Sequence, residues 1–262
     1  MIKAKKSLGQ NFLIDKNIIK KITDIVNIEK KVILEIGPGT GNLTSELLKK
    51  NPKKFFVIEK DNNLIEVLKK KFHHHIKIIH DDVLDIDENL IDKEPLVVFG
   101  NLPYNISTEI LCKWILNIDD KNKWFSSLVL MFQKEVADRI ISKFNSSNYG
   151  RLSILSNWKL DIKKIADVKS NCFYPKPKID STILFFSPKK DFLHLNNAKN
   201  LEKITRIFFN HRRKMIKKPY NQLFGGNFDV SKKLKLNLNL RPQNLNFQTY
   251  YKLADEYEKL SS

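Results

Sequence analysis

Val32-Ile33-Leu34-Glu35-Ile36-Gly37-Pro38-Gly39-Thr40-Gly41 is the stretch on which the reading of this chain turns. An apolar run interrupted only by Glu35 has the pattern of a strand buried on both faces, and the glycine-rich turn after it runs into a polar helix start near Asn42. The motif repeats outward. Phe55–Ile58, Ile76–Ile79, Leu96–Phe99 and Ser127–Phe132 read as further buried strands, with helical patterns at Leu64–Phe72, Ile106–Leu116 and residues 134–143. Upstream, Asp15 is placed to cap a helix carrying Ile18, Ile19, Ile22, Ile25 and Val26 on one face. Leu152–Leu160 and Ser181–Phe186 read as two closing strands. Apolar strands alternating with helices predict a doubly wound α/β domain with a parallel sheet covered on both faces, spanning residues 1–187. Beyond Ser187-Pro188-Lys189-Lys190 only helical spacing remains, at Leu201–Phe209 and Tyr250–Leu260, so 188–262 is expected to be a small all-helical domain.

Composition supports a folded chain. Its 262 residues are 42% hydrophobic and include 17 Phe and 3 Trp, enough to fill a core. No run of 18 apolar residues suggests a membrane span, and the Lys-containing N-terminus lacks the apolar segment of a secretory signal. Two cysteines, Cys112 and Cys172, fit a reducing, cytoplasmic setting better than a disulfide framework. The formal net charge is +18, unevenly spread. Residues 1–187 hold 31 basic and 23 acidic residues, net +8; residues 188–262 hold 16 and 6, net +10. A last quarter this basic reads as a module facing a polyanion.

The glycine turn differs from a dinucleotide-binding fingerprint. Its spacing is G-x-G-x-G, Pro38 removes an amide that a pyrophosphate would use, and Glu35 would place charge beside phosphates. A nucleoside without phosphates fits better. Gly37, Gly39 and Gly41 would let backbone approach it, Glu59 at the end of the second strand would accept its ribose hydroxyls, and Asp82 with apolar Val83 would meet its adenine. Together these make the layout of a Rossmann-like S-adenosylmethionine pocket.

After the fourth strand stands Gly100-Asn101-Leu102-Pro103-Tyr104-Asn105-Ile106-Ser107. The N6 amine of adenine is a poor nucleophile because its lone pair is delocalised into the ring. The Asn101 side-chain carbonyl and the Leu102 backbone carbonyl are suited to accept its two hydrogens, Pro103 to stiffen the turn, and Tyr104 to stack on the base. A base inside a duplex cannot reach such a loop, so the target must be single-stranded or flipped. Phe173 reads either as a second stacking face or as a core anchor. His73-His74-His75 has no metal-site geometry, because consecutive residues do not converge on one face, and the chemistry needs no metal.

Ser7–Leu13, Glu35–Gly41, Val57–Asp61, Gly100–Ser107, Phe132–Val136, Phe173–Ser181 and Phe208–Lys214 together resemble the ribosomal RNA adenine N6-dimethyltransferases. Within them the chain looks like the bacterial small-subunit branch rather than the antibiotic-resistance branch, which typically has Ile at the Leu102 position. The resemblance implies dimethylation of two adjacent adenosines near the 3′ end of small-subunit (16S) rRNA, with S-adenosylmethionine as cofactor. It also implies an assembling small subunit as substrate; a monomer suffices for this. It has Asn11 and Leu13 join Gly37, Glu59, Asp82 and Asn101 as cofactor contacts and places Arg212, Arg213 and Lys214 toward RNA, with Lys3, Lys5 and Lys6 as further candidates. His80-Asp81 and the segment after Lys214 depart from the usual pattern. An inactive assembly factor would be expected to have lost the Asn-Leu-Pro-Tyr loop, and a DNA adenine methyltransferase usually has an acidic residue at the Asn101 position. Neither holds here.

Overall fold

The computed structural model describes residues 4–5, 8–118 and 123–261. In chain order the elements are β1 (Phe12–Leu13), α1 (Lys16–Thr23), β2 (Val32–Ile36), α2 (Asn42–Leu48), β3 (Lys54–Glu59), α3 (Asn62–Phe72), β4 (Lys77–His80), β5 (Leu96–Asn101), α4 (Ser107–Leu116), β6 (Phe125–Gln133) and α5 (Lys134–Ile140). They continue with α6 (Arg151–Lys159), β7 (Leu160–Val168), β8 (Phe173–Tyr174), β9 (Ser181–Pro188), α7 (Lys199–Phe209), α8 (Lys217–Phe224), α9 (Phe228–Lys233) and α10 (Phe247–Ser261). The chain divides into two units, residues 1–137 with 161–188, and residues 138–160 with 189–262.

The first unit holds a seven-stranded sheet in the order β4-β3-β2-β5-β6-β9-β7. β2 pairs in parallel with β3 and β5, and the register sets Ile36 opposite Ile58 on one side and Gly100 on the other. The carboxyl ends of the three strands therefore finish level. Connections leave β2 toward β3 and β4 on one side and resume at β5 and β6 on the other, so a crevice opens beyond β2 and β5 where the direction of winding reverses. Leu34, Val57, Val98 and Phe99, all fully buried, show why these strands read as continuous apolar runs.

Three expectations are corrected. The sheet is mixed, because β9 runs antiparallel to β6. Residues 151–159 form helix α6, not a strand, since Ser153, Ile154, Leu155, Ser156 and Trp158 are all buried and burial nearly all round erases the helical period. The strand that follows, β7, went unread because it is an edge strand carrying exposed Lys163 and Lys164, charge that blocks further pairing there. Finally, residues 138–160 group with the second unit rather than with the sheet.

The second unit is helical. Its core buries Trp158, Phe208, Tyr220 and Tyr250. Trp158 Nε1 donates to the Leu193 carbonyl at 2.8 Å, and Tyr250 and Tyr251 donate to the carbonyls of Pro242 and Ile154 at 2.7 and 3.0 Å, whereas the buried Tyr149 hydroxyl has no partner among the described residues.

Candidate active site

At the carboxyl ends of β2, β3 and β5 lies a cavity of about 320 Å³ in the first unit. Asn11, Leu13, Gly37, Gly39, Glu59, Asp82, Val83, Asn101, Leu102, Pro103 and Tyr104 all line it. Gly41 is not among the residues that line it. It initiates α2 at φ +75°, and a Cβ there would run into the ring of Phe72, so this glycine serves packing. Phe173 is 2% exposed within the core cluster that includes Leu13 and Ile19, in keeping with the core anchor of its two readings.

Glu59 ends β3 almost fully buried. Its Oε1 accepts the amides of Lys60 and Asp61 at 3.0 and 2.9 Å. Burial pushes its carboxyl up, and the amides of Asp61, Gly39 and Lys60 pull it back. Asp82 has its pKa lowered by Lys60, whose ammonium lies 2.7 Å from Oδ2, and its Oδ1 accepts the Leu84 amide at 3.0 Å. Glu35, behind the glycine turn, accepts the Thr44 hydroxyl at 2.7 Å. Burial pushes it up to about 8, against the opposing Thr44 hydrogen bond.

That shift carries a sign. Between its ordinary 4.5 and about 8, native Glu35 holds a proton that the unfolded chain has released, so its stabilising contribution is lost as pH rises through about 8. Glu35→Gln, which keeps the shape and the Thr44 bond, should flatten the alkaline loss of Tm in melts recorded from about pH 5 to 9. An unchanged profile would assign that loss to other groups.

The N-terminal segment reaches the cavity through bonds that no sequence pattern announces. Asn101 Nδ2 donates to the Asn11 carbonyl at 2.7 Å, Asn42 Nδ2 to the Leu13 carbonyl at 2.9 Å, and Gln10 Nε2 to Asp61 Oδ2 at 2.9 Å. Lys5, expected toward RNA, is instead paired with Asp61 at 2.7 Å, while Lys3 and Lys6 lie outside the described residues. Because a carbonyl only accepts, the Asn11 contact fixes the Asn101 amide with its nitrogen on Asn11 and leaves Oδ1 as the remaining acceptor. The Tyr104 hydroxyl shares a 2.5 Å hydrogen bond with Ser181 Oγ, which fixes the ring. On the far side, buried Glu88 accepts Lys113 Nζ at 2.9 Å and Trp114 Nε1 at 2.7 Å, and Lys113 also donates to the Val83 carbonyl at 3.0 Å and to that of Ile86. Sequence reading missed this group, which ties the Asp82–Val83 loop to α4. Its signal was absent because the acceptors are mostly backbone.

The donor set tests the cofactor. Four carboxyl groups, Glu35, Glu59, Asp81 and Asp82, line the cavity, Glu35 in its protonated form below about pH 8, and the one cation lining it among the described residues, Lys60, is already paired. That suits a ligand bearing positive charge and a ribose, and it disfavours phosphates. Fold and site define an S-adenosylmethionine-dependent methyltransferase.

A model of the ribosomal RNA adenine dimethylase family matches residues 1–259. The chain belongs to that family. Ribosomal RNA small subunit methyltransferase A of Pelagibacter ubique is 63% identical over 259 residues, covering 99% of this chain and 98% of that protein. The protein of the same name in Wolbachia pipientis wMel is 40% identical over 264 residues, covering 99% and 91%. Among solved structures, a dimethyladenosine transferase from Plasmodium falciparum superposes with a TM-score of 0.81 at 28% identity, covering 95% of this chain and 98% of that one. The 23S rRNA methyltransferase ErmE shares the fold, with a TM-score of 0.68 at 22% identity over 95% of this chain and all of that one.

Proposed function

We propose that this protein transfers methyl groups to N6 of two adjacent adenosines near the 3′ end of 16S rRNA, dimethylating each. What supports the reading most is the Asn101 amide, oriented by Asn11 beside Tyr104 at the mouth of an acidic, nucleoside-sized cavity. Bound S-adenosylmethionine supplies an electrophilic methyl on sulfonium sulfur. Asn101 Oδ1 and the Leu102 carbonyl are placed to accept the N6 hydrogens, two before the first methylation and one before the second, and so to localise the nitrogen lone pair for attack on the methyl that the bound cofactor would supply. Tyr104, kept neutral because burial pushes its phenol up, stacks on the base. The N6 proton leaves to solvent, so the site works by positioning rather than by a strong base. Glu59 and Asp82 hold the ribose and adenine of the cofactor.

The substrate is read as an assembling small subunit, the enzyme as a monomer and its location as the cytoplasm. No helix among the described residues is long and apolar enough to cross a membrane. Mass spectrometry of small-subunit RNA extracted from partly assembled subunits after incubation with protein and isotope-labelled cofactor tests the reading. Two neighbouring dimethyladenosines near the 3′ end are expected; unmodified RNA overturns it.

The basic cluster divides in its roles. Arg212 donates from Nε to Gln243 Oε1 at 3.3 Å and from Nη2 to the carbonyls of Ser146 and Ser147, and we assign it to bracing its own unit rather than to RNA. Arg213 and Lys214 are exposed and are the pair we assign to phosphate. Neutralising both to Gln should lower the slope of log affinity against log salt by about 1.8, at roughly 0.9 per phosphate contact. Arg212→Gln should lower Tm and leave the slope unchanged; the reverse outcome would exchange the roles.

A further inference from the structure

The segment from Tyr174 to Ser181 has both ends anchored on residues at the cavity and a cationic, aromatic middle that the proposed chemistry does not use. At its start, β8 pairs antiparallel with β1, setting Phe12 opposite Tyr174 and Leu13 opposite Phe173. Direct cross-strand partners project to the same face, with Cβ atoms about 5 Å apart. Leu13 and Phe173 share the face turned into the core. Phe12 and Tyr174 share the other, and Phe12 lines the cavity with its ring against Gly39. At the segment's end, Ser181 is bonded to the Tyr104 hydroxyl. The chain between them thus starts and ends against residues that line the cavity.

What it displays there is specific. Tyr174 is 55% exposed, and Lys176 and Lys178 are exposed with no acidic partner among the described residues. The acid of the segment, Asp180, is already bound by Lys169 at 3.0 Å and by the Ser170 amide. Pro175 and Pro177 restrict the backbone between the aromatic ring and the two ammonium groups, so little freedom is lost on binding. An exposed aromatic face beside unpaired cations on a stiff support is the chemistry of a single-stranded nucleic acid platform.

We propose that Tyr174, Lys176 and Lys178 hold the nucleotide next to the one being methylated: Tyr174 stacks on its base and the two lysines meet its phosphates. The inference rests on the RNA adenine methyltransferase reading above. It gives the catalytic unit an RNA contact of its own, at the reacting base. With two adjacent adenosines as substrate, one occupies the cavity while its neighbour rests on Tyr174, and they exchange places between rounds.

The test uses the full chain and partly assembled small subunits reconstituted with RNA whose 3′ hairpin carries the two adenosines. Tyr174→Ala should raise KM for RNA about tenfold, the scale of one lost base stack, with cofactor affinity unchanged. Tyr174→Phe should behave as the parent protein. Lys176→Gln with Lys178→Gln should lower the salt slope by about 1.4, at roughly 0.7 per single-strand phosphate. With 2-aminopurine replacing the adenosine beside the target, the parent protein should quench its fluorescence and Tyr174→Ala should not. If the parent protein methylates the hairpin while Tyr174→Ala keeps its KM and quenching, the platform is overturned and the enzymatic reading stands. If the parent protein leaves the hairpin unmethylated, both fall.

Discussion

Asn101→Ala should cost roughly 10²–10³ in the rate of methyl transfer, the range for losing one preorganised hydrogen-bonding group at a reacting centre, while cofactor affinity changes little. Asn101 has two jobs in one side chain. Its nitrogen is spent on the Asn11 carbonyl at 2.7 Å, which leaves its oxygen as an acceptor for N6. Alanine removes the acceptor and releases the N-terminal segment at one point, but that segment keeps its ties from Gln10 to Asp61 and from Leu13 to Asn42. The pocket for the nucleoside therefore survives the loss of the chemistry. Single-turnover rates beside equilibrium cofactor binding separate the two effects. Asn101→Asp is the sharper companion. It preserves size yet sets a carboxylate against the Asn11 carbonyl, so it should lose both orientation and rate. A variant at position 101 that transfers methyl at the parent rate would remove this residue from the chemistry.

Gly39→Ala should weaken cofactor binding by about 100-fold and also slow transfer. Gly39 sits at φ +58°, where an L side chain is strained by roughly 1–2 kcal/mol, and a Cβ there would stand 2.7 Å from the ring of Phe12. The backbone of this turn and the ring cannot both stay. Phe12 follows Asn11 directly, so displacing the ring moves the carbonyl that orients Asn101. The glycine turn and the catalytic amide are thus connected through two residues of the N-terminal segment. Isothermal titration with the demethylated cofactor product reads the first effect, and single-turnover transfer at saturating cofactor reads the second. Weaker binding with an unaltered saturated rate would disconnect the two.

The parts of the fold that were legible are those where one periodicity acts alone. β2, β3, β5 and β6 are buried on both faces and read as apolar runs, and Asp15 does accept the amides of Asn17 and Ile18 at the start of α1. α6 was misread because its surroundings are apolar on nearly every side, and β7 was missed because an edge strand advertises its solvent side. At the site, side chains whose chemistry is explicit were legible: Glu59, Asp82 and Asn101 all line the cavity. Contacts made through backbone carbonyls were not. Asn11 and Leu13 meet Asn101 and Asn42 with main-chain oxygens, which every residue owns, so only resemblance pointed to them. Phe173 and Tyr174 show the remaining limit. Adjacent aromatics on a strand take opposite faces, and which one is buried depends on where β8 pairs.

The discontinuity of the helical unit bears on how this protein can be recombined. Because α6 precedes the last two long strands in sequence but belongs with α7 and α10, the unit cannot be lifted out as one C-terminal piece. A graft beginning at residue 189 would leave behind Trp158, whose indole nitrogen is bonded to the Leu193 carbonyl, and Ile154, whose carbonyl accepts Tyr251. Chimeras between relatives must therefore exchange two segments together, near 138–160 and 189–262. Single-crossover libraries with a junction between those segments would mostly yield mismatched interiors rather than altered RNA preference.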